Sequence, residues 1–181
     1  MTDAGGFKRV ETLRNGLAVT IRSLRPDDRE RIVAAFRQLD RESVYTRLFA
    51  YRSELSEMEL DRIVNVDPEQ EVALLATIGA GTDELVIGSG RYVASSRAGD
   101  ERIAEVAFVV EEDYHGLGIA GRLLGHLAAI ARERGIAALE ADVLADNRAM
   151  LSVFERSRLP MRQRREDGIV HLTLALKPDA A

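Results

Sequence analysis

Cysteine is absent from this chain of 181 residues, which excludes disulfide stapling and thiolate chemistry. Histidine is scarce: three residues, His115, His126 and His171, share no repeated spacing, so no zinc site is expected. A basic excess is also missing. Lys and Arg number 25 against 30 Asp and Glu, and a net charge of −5 argues against nucleic acid as the main partner. No apolar run approaches the roughly 20 residues that a membrane helix needs. Residues 1–7 are small and polar, without the apolar core of a signal peptide. The expectation is a cytoplasmic protein with no metal, no nucleic acid and no membrane partner. What remains is globular in composition, 46% hydrophobic and 30% charged, at a length suited to one full domain.

In chain order, residues 9–13 and 17–21 alternate around Asn15-Gly16, a pair that favours a two-residue hairpin turn. Arg25-Pro26-Asp27-Asp28 then opens a helix with acids in its first turn to complement the dipole. Ile32, Val33, Phe36 and Leu39 give it an apolar stripe, and residues 40–51 continue as a shorter helical piece. Ser56 and Glu59 form a capping box for a helix running to about Val66, ahead of Pro68. The period then changes to that of strands over residues 72–78, 84–94 and 103–110, which reads as an antiparallel meander. Helix follows over 122–135, strand over 138–144, and helix over 146–156 with Asp146 placed to cap it. Residues 161–165 and 169–176 close the chain as a hairpin around Glu166-Asp167-Gly168. No internal repeat or linker is visible.

The stretch His115-Gly116-Leu117-Gly118-Ile119-Ala120-Gly121 lies between a strand and a helix. Glycines allow close approach to a ligand, and the first free N–H groups of the helix attract an anion. Gly116, Gly118 and Gly121 also satisfy the dinucleotide pattern, with Glu140 downstream in the place of a ribose-binding acid. Against that reading, residues 111–115 separate strand from glycines, and only 60 residues follow Gly121, too few for the βα units such a fold requires. A glycine-tolerant helix start with no ligand is the plain alternative.

With His115 in first place, Gly118 fourth and Ala120 sixth, this stretch resembles the acyl-CoA pyrophosphate loop of the GNAT N-acetyltransferases, Gln/Arg-x-x-Gly-x-Gly/Ala. The likeness spans about residues 17–177. Residues 19–28, 43–49, 104–110 and 140–150 are similar to the bacterial protein lysine acetyltransferases of that superfamily. The resemblance implies an α/β (α+β) fold: a single GNAT-like domain over 9–177 with a mixed, mostly antiparallel central sheet flanked by helices. A flexible N-terminus (1–8) and a short tail (178–181) bracket it. Relatives often carry a fused nucleotide-binding or synthetase-like region. None is seen in this sequence, so regulation by such a region is not expected.

Acyl transfer from a thioester to an amine needs a held cofactor, a polarised carbonyl and a base for the ammonium proton, whose pKa lies near 10.4. Glu105 is the only ionisable residue in 103–110, so partial desolvation is expected to raise its pKa toward a general-base value; the alternative is a surface acid. In the related protein acetyltransferases, a glutamate at this place is the base. The resemblance further implies acetyl-CoA as co-substrate, held by His115, Gly116, Leu117, Gly118, Ile119, Ala120 and Gly121. Gly121 is assigned more to helix packing than to a ribose contact. A splayed strand pair would take the pantetheine arm, and backbone N–H groups of Phe108, Val109 and Val110 would polarise the thioester. Asn147 either reaches the cofactor or caps a helix. Phe154 stands where many relatives have a proton-donating tyrosine, and Ser157-Arg158-Leu159-Pro160 replaces their Gly-Phe ending. Tyr45, Arg47 and Tyr51 either wall the acceptor site or belong to the core; His126 and His171 receive no role. The resulting expectation is an acetyl-CoA-dependent N-acetyltransferase, monomer or homodimer, acting on a protein lysine or a small amine. The alternatives are an acyl-CoA sensor without turnover and a nicotinamide-dependent oxidoreductase.

Overall fold

A computed structural model of the protein describes residues 6–39, 55–96 and 101–177. Eight strands form one sheet: β1 (Lys8–Thr12), β2 (Ala18–Ser23), β3 (Glu71–Ile78), β4 (Leu85–Ser96), β5 (Arg102–Val110), β6 (Ala138–Leu144), β7 (Met161–Glu166) and β8 (Ile169–Ala175). Their order is β1-β2-β3-β4-β5-β6-β8-β7, and every neighbouring pair is antiparallel except β5 with β6. Among the described residues four α-helices flank it: α1 (Arg29–Gln38), α2 (Glu57–Val64), α3 (Ile119–Glu133) and α4 (Arg148–Arg156). The mixed, mostly antiparallel α/β domain expected from the sequence is present.

The helix α3 supplies the dry core. Leu123, Leu124, Leu127 and Ile130 recur at helical spacing and are each at most 2% exposed against the sheet. Each such side chain contributes about 1.5–3 kcal/mol of burial. The capping box of Ser56 and Glu59 forms at the start of α2 as expected, with the Glu59 N–H donating to Ser56 Oγ and the Ser56 N–H to the Glu59 carboxylate.

Several boundaries differ from expectation for local reasons. The first hairpin has a three-residue loop, not a two-residue one: Leu13 N–H donates to Leu17 O at 2.8 Å, and only Gly16 takes a positive φ, +85°. Asn15 instead uses its side chain, accepting from Leu17 N–H at 3.1 Å. In the closing hairpin Asp167 and Gly168 both have positive φ, and Glu166 already pairs with Ile169 within the ladder. The start of α3 is Ile119 rather than Arg122, because Gly118 at φ +90° turns the chain into the helix. Asn147, not Asp146, caps α4, its side chain accepting from Met150 N–H at 3.1 Å.

The acids expected in a first helical turn also differ. Pro26–Asp28 is a short 3-10 turn before α1; Asp28 stands at the N-cap of α1, as expected of a helix-start acid, but it is fully buried and its side chain makes no cap hydrogen bond. Its carboxylate takes a two-pronged contact from the Arg22 guanidinium, both bonds 2.7 Å, and accepts from Arg25 N–H at 2.9 Å. Arg22 Nε also donates to Glu84 at 2.8 Å, and Thr77 Oγ1 donates to the same carboxylate at 2.9 Å. Burial pushes the Asp28 carboxyl up, but the Arg22 guanidinium and the Arg25 N–H outweigh it and hold it below the ordinary carboxylate range. This cluster pins the start of α1 to β2 and to the β3–β4 turn.

Candidate active site

The strand β5 runs beside β6 for only three pairs, Ile103↔Ala138, Ala104↔Leu139 and Glu105↔Glu140. Beyond Glu105 the two diverge, β5 following β4 to Val110 and β6 following β8 to Leu144. The expected splay is therefore present. Backbone groups of β5 that would face β6 are left without a strand partner in the middle of a sheet, which normally satisfies them. A small cleft of about 90 Å³ occupies the gap, with Phe108, Ala141, Asn147, Met150 and Phe154 among its walls.

The Phe108 ring is 7% exposed and lies edge-on to Phe154 at 6.0 Å. It crosses β4 at Gly90, where a β carbon would approach the ring to 2.7 Å. Phe154, 2% exposed, fills a core position and has no proton to give.

On the other face, a cavity of about 520 Å³ lies between α1, α2 and the sheet. The apolar stripe of α1 faces it, so Ile32, Phe36 and Leu39 line a chamber rather than a closed core. Its sheet wall carries an ion pair, Arg91 with Glu71 at 2.8 Å. Counting β5 by twos, Glu105, Ala107, Val109 and Glu111 all border it. Glu105 borders both spaces: it belongs to the cleft between the strands and to the chamber under α1 and α2. It is an exposed residue, so the desolvation anticipated for it is absent.

Glu111 escapes the sequence reading, although the same count by twos reaches it. It is half-buried, and burial, followed by the nearby Asp113 and Glu112 charges, pushes its carboxyl up, with His115 opposing.

Past Val110 a 3-10 turn, Glu112–Tyr114, leads into the glycine stretch. Gly116 at φ +74° and Gly118 at +90° adopt the left-handed conformation that glycine alone takes freely. His115 is tied back to the strand, with Nε2 at 2.7 Å from Val110 O. Ile119 and Ala120 are buried at the helix start, and Leu117 packs partly against the core. Gly121 is exposed, and a β carbon there would meet nothing within 4 Å, so the glycine is not needed for helix packing. The first N–H groups of α3, Gly118 to Gly121, are those a helix leaves without internal partners.

The loop carbonyls are held by arginines: Arg14 donates to Gly116 O and Arg122 to Gly118 O, both at 3.3 Å. Arg122 also donates to Thr12 O at 2.7 Å and pairs with Glu11 at 2.8 Å; Glu11 pairs with His126 as well. The N-terminal hairpin thus braces the loop. His171 pairs with Asp142 of β6 at 2.6 Å.

Glu105, Phe108 and Asn147 line the cleft, Val109 lines the chamber, and Val110 leads through the 3-10 turn to the stretch from His115 to Gly121. Asn147 spends its side-chain oxygen on the α4 cap while still lining that cleft. Tyr45, Arg47 and Tyr51, and the helical piece expected over 40–51, lie outside the described residues. Among the described residues no group of His, Asp or Glu is arranged to hold a metal ion, and no helix is long and apolar enough to cross a membrane.

Residues 33–158 match the model of the Acetyltransferase (GNAT) family. Acetyltransferase PA5475 of Pseudomonas aeruginosa is 35% identical over 145 residues, which cover 78% of this chain and 74% of that protein. Acetyltransferase Pat of Mycolicibacterium smegmatis is 31% identical over 144 residues, 80% of this chain but 42% of that protein, so the chain spans less than half of that relative. Among solved structures, the GNAT domain of S. lividans PAT superposes with a TM-score of 0.83 at 36% identity, covering 93% of this chain and 96% of that one. The splayed strands, the glycine-started helix and these matches converge, and the chain belongs to the GNAT acetyltransferase family.

Proposed function

We propose that the protein is an acetyl-CoA-dependent N-acetyltransferase that acetylates lysine side chains of proteins, with Glu105 as general base. The observation that carries this reading is the place of Glu105 at the junction of cleft and chamber. The cleft offers β5 backbone groups to an extended pantetheine arm, and the amides from Gly116 to Gly121 offer donors to a diphosphate, the His115 N–H being spent on Glu112 O. The chamber is apolar along α1, with the carboxylates of Glu105 on β5 and Glu111 just past it, which suits the aliphatic stem and ammonium head of lysine. Acetyl-CoA supplies the activated acyl group as a thioester. The N–H groups of Phe108 and Val110, which alternate away from β4, polarise the thioester carbonyl; the Val109 N–H points instead to Ser89 on β4, which takes it out of the expected set. Glu105 takes one ammonium proton, which frees the nitrogen lone pair to attack that carbon; the new C–N bond forms, the C–S bond breaks, and the nitrogen's second surplus proton is displaced. The exposed Glu105 passes its proton to solvent, and the thiolate is reprotonated from solvent or by the displaced proton, since Phe154 donates none. Asn147 lines the arm's path, and the charge and composition of the chain suit work in the cytoplasm.

Phe154 in the place of a tyrosine favours a second reading, an acyl-CoA-binding domain without turnover. One experiment separates the two: thiol release from acetyl-CoA with a panel of small amines and a lysine-rich protein, followed by mass spectrometry of a labelled lysate. Release dependent on the amine and acetyl-lysine in the products are expected. Tight CoA binding without release overturns the enzyme reading.

A further inference from the structure

Directly paired residues on neighbouring strands point their side chains to the same face of a sheet. Starting at Glu105 on β5, the ladder leads to Glu140 on β6, then Thr173 on β8, then Arg162 on β7. The next row leads from Asp142 on β6 to His171 on β8 and Arg164 on β7. These two rows share the face on which Glu105 borders the chamber. The alternate residues, Leu139, Ala141, Val143, Val170, Leu172 and Leu174, point the other way and are buried.

Among the described residues no helix covers the two rows: Asp142, Arg162 and Arg164 are exposed, and Glu140, His171 and Thr173 half-buried. The uncovered face is polarised. Acids stand at Glu105, which borders the chamber, and at Glu140 and Asp142 on β6, and arginines stand at the sheet edge. Arg164 pairs with Glu166 on its own strand at 2.7 Å, an exposed contact of little worth. Arg162 pairs with no carboxylate among the described residues.

We infer that this face binds the segment of a protein acceptor flanking the lysine, and that Arg162 and Arg164 select an acidic residue in it. The inference rests on the N-acetyltransferase reading and narrows its substrate class. Three strand spacings of about 4.8 Å put β7 about 14 Å from β5. An extended chain covers that distance in about four residues. A lysine delivered to Glu105 by a segment crossing the strands therefore brings a side chain about four positions away onto the arginines. An aspartate or glutamate there meets two guanidinium groups, while Glu140 and Asp142 disfavour an acid next to the lysine.

The test uses the full chain, acetyl-CoA and peptides blocked at both ends with a single lysine. Glutamate, glutamine or arginine is placed four residues before or after it. For one of the two orientations, kcat/KM for the glutamate peptide is expected to exceed that of the glutamine peptide about fivefold, carried by KM and shrinking with added salt. The double variant Arg162→Glu, Arg164→Glu is expected to invert the order in favour of the arginine peptide. Its turnover of lysine amide, too short to reach β7, stays at the wild-type value and shows that the variant is folded. Equal kcat/KM for all peptides, with lysine amide acetylated normally, overturns the inference alone. Absence of thiol release with every acceptor overturns the N-acetyltransferase reading as well, so the two failures are distinct.

Discussion

The two faces of the sheet are built from the same alternating strands yet do opposite work. On one, α3 lays four fully buried aliphatic side chains into the sheet and leaves only the cleft of about 90 Å³ beside Phe108 and Phe154. On the other, α1 has no buried residue at all and its apolar stripe borders a chamber of about 520 Å³. An amphipathic helix on a sheet is thus not by itself a core element. What holds α1 down is the charged cluster of Arg22, Asp28 and Glu84 at its start, which fixes its position without filling the space beneath it. The dry core is concentrated under α3, and the larger open space lies under α1.

That division can be broken experimentally, starting with its largest expected consequence. Glu105→Gln is expected to lower kcat by about 10²–10⁴ while leaving the melting temperature and acetyl-CoA affinity near wild type. Steady-state kinetics beside a thermal melt would measure both, and unchanged turnover would remove Glu105 from the base role. Leu127→Ala under α3 is expected to cost about 2–5 kcal/mol in denaturant unfolding with kcat preserved in the folded fraction. Phe36→Ala on α1 shows the reverse pattern, a small stability loss and an altered acceptor KM. Equal stability losses from the two would erase the contrast between the faces.

Gly118→Leu is expected to raise KM for acetyl-CoA. It forces a side chain into φ +90° and sets a β carbon 2.7 Å from Arg122 Nη1. An unchanged KM would count against the loop as the phosphate site. Glu111→Gln has the smallest effect. Because the folded state holds this carboxyl above its ordinary value, ionisation at neutral pH weakens the fold. The variant should therefore melt slightly higher at pH 7. The gain should close as the pH falls through the raised folded value toward the ordinary one. A gain that persists in acid would assign the effect to something other than the charge.

The sequence made the element order and the path from strand to glycine loop legible because these rest on local signals. The strand period, the Ser56 capping box and the glycines at 116 and 118 each act within a few residues. Long-range packing was not legible in the same way. Asp28 does stand at the start of α1, as its place in the chain suggested, but its burial depends on Arg22 and the far β3–β4 turn. Glu105 looked desolvated because its sequence neighbours are apolar. Its exposure follows instead from β5 parting from β6 just beyond the Glu105↔Glu140 pair, a meeting of two strands distant in the chain. Likewise Gly121 looked like a packing glycine until α3 turned that face to solvent. The bracing of the loop by Arg14 and Arg122 joins segments more than 100 residues apart, a contact no local pattern announces.

The three-pair seam between β5 and β6 has a consequence for hydrogen exchange. In most sheets the slowest amides sit at the centre and protection decays toward the edges. Here the β5 amides beyond Glu105 that face β6 should exchange quickly although four strands lie on one side of them and three on the other. A ligand arm seated along β5 would close the gap and slow those amides alone, so the sheet's least protected interior line is also its most direct reporter of occupancy.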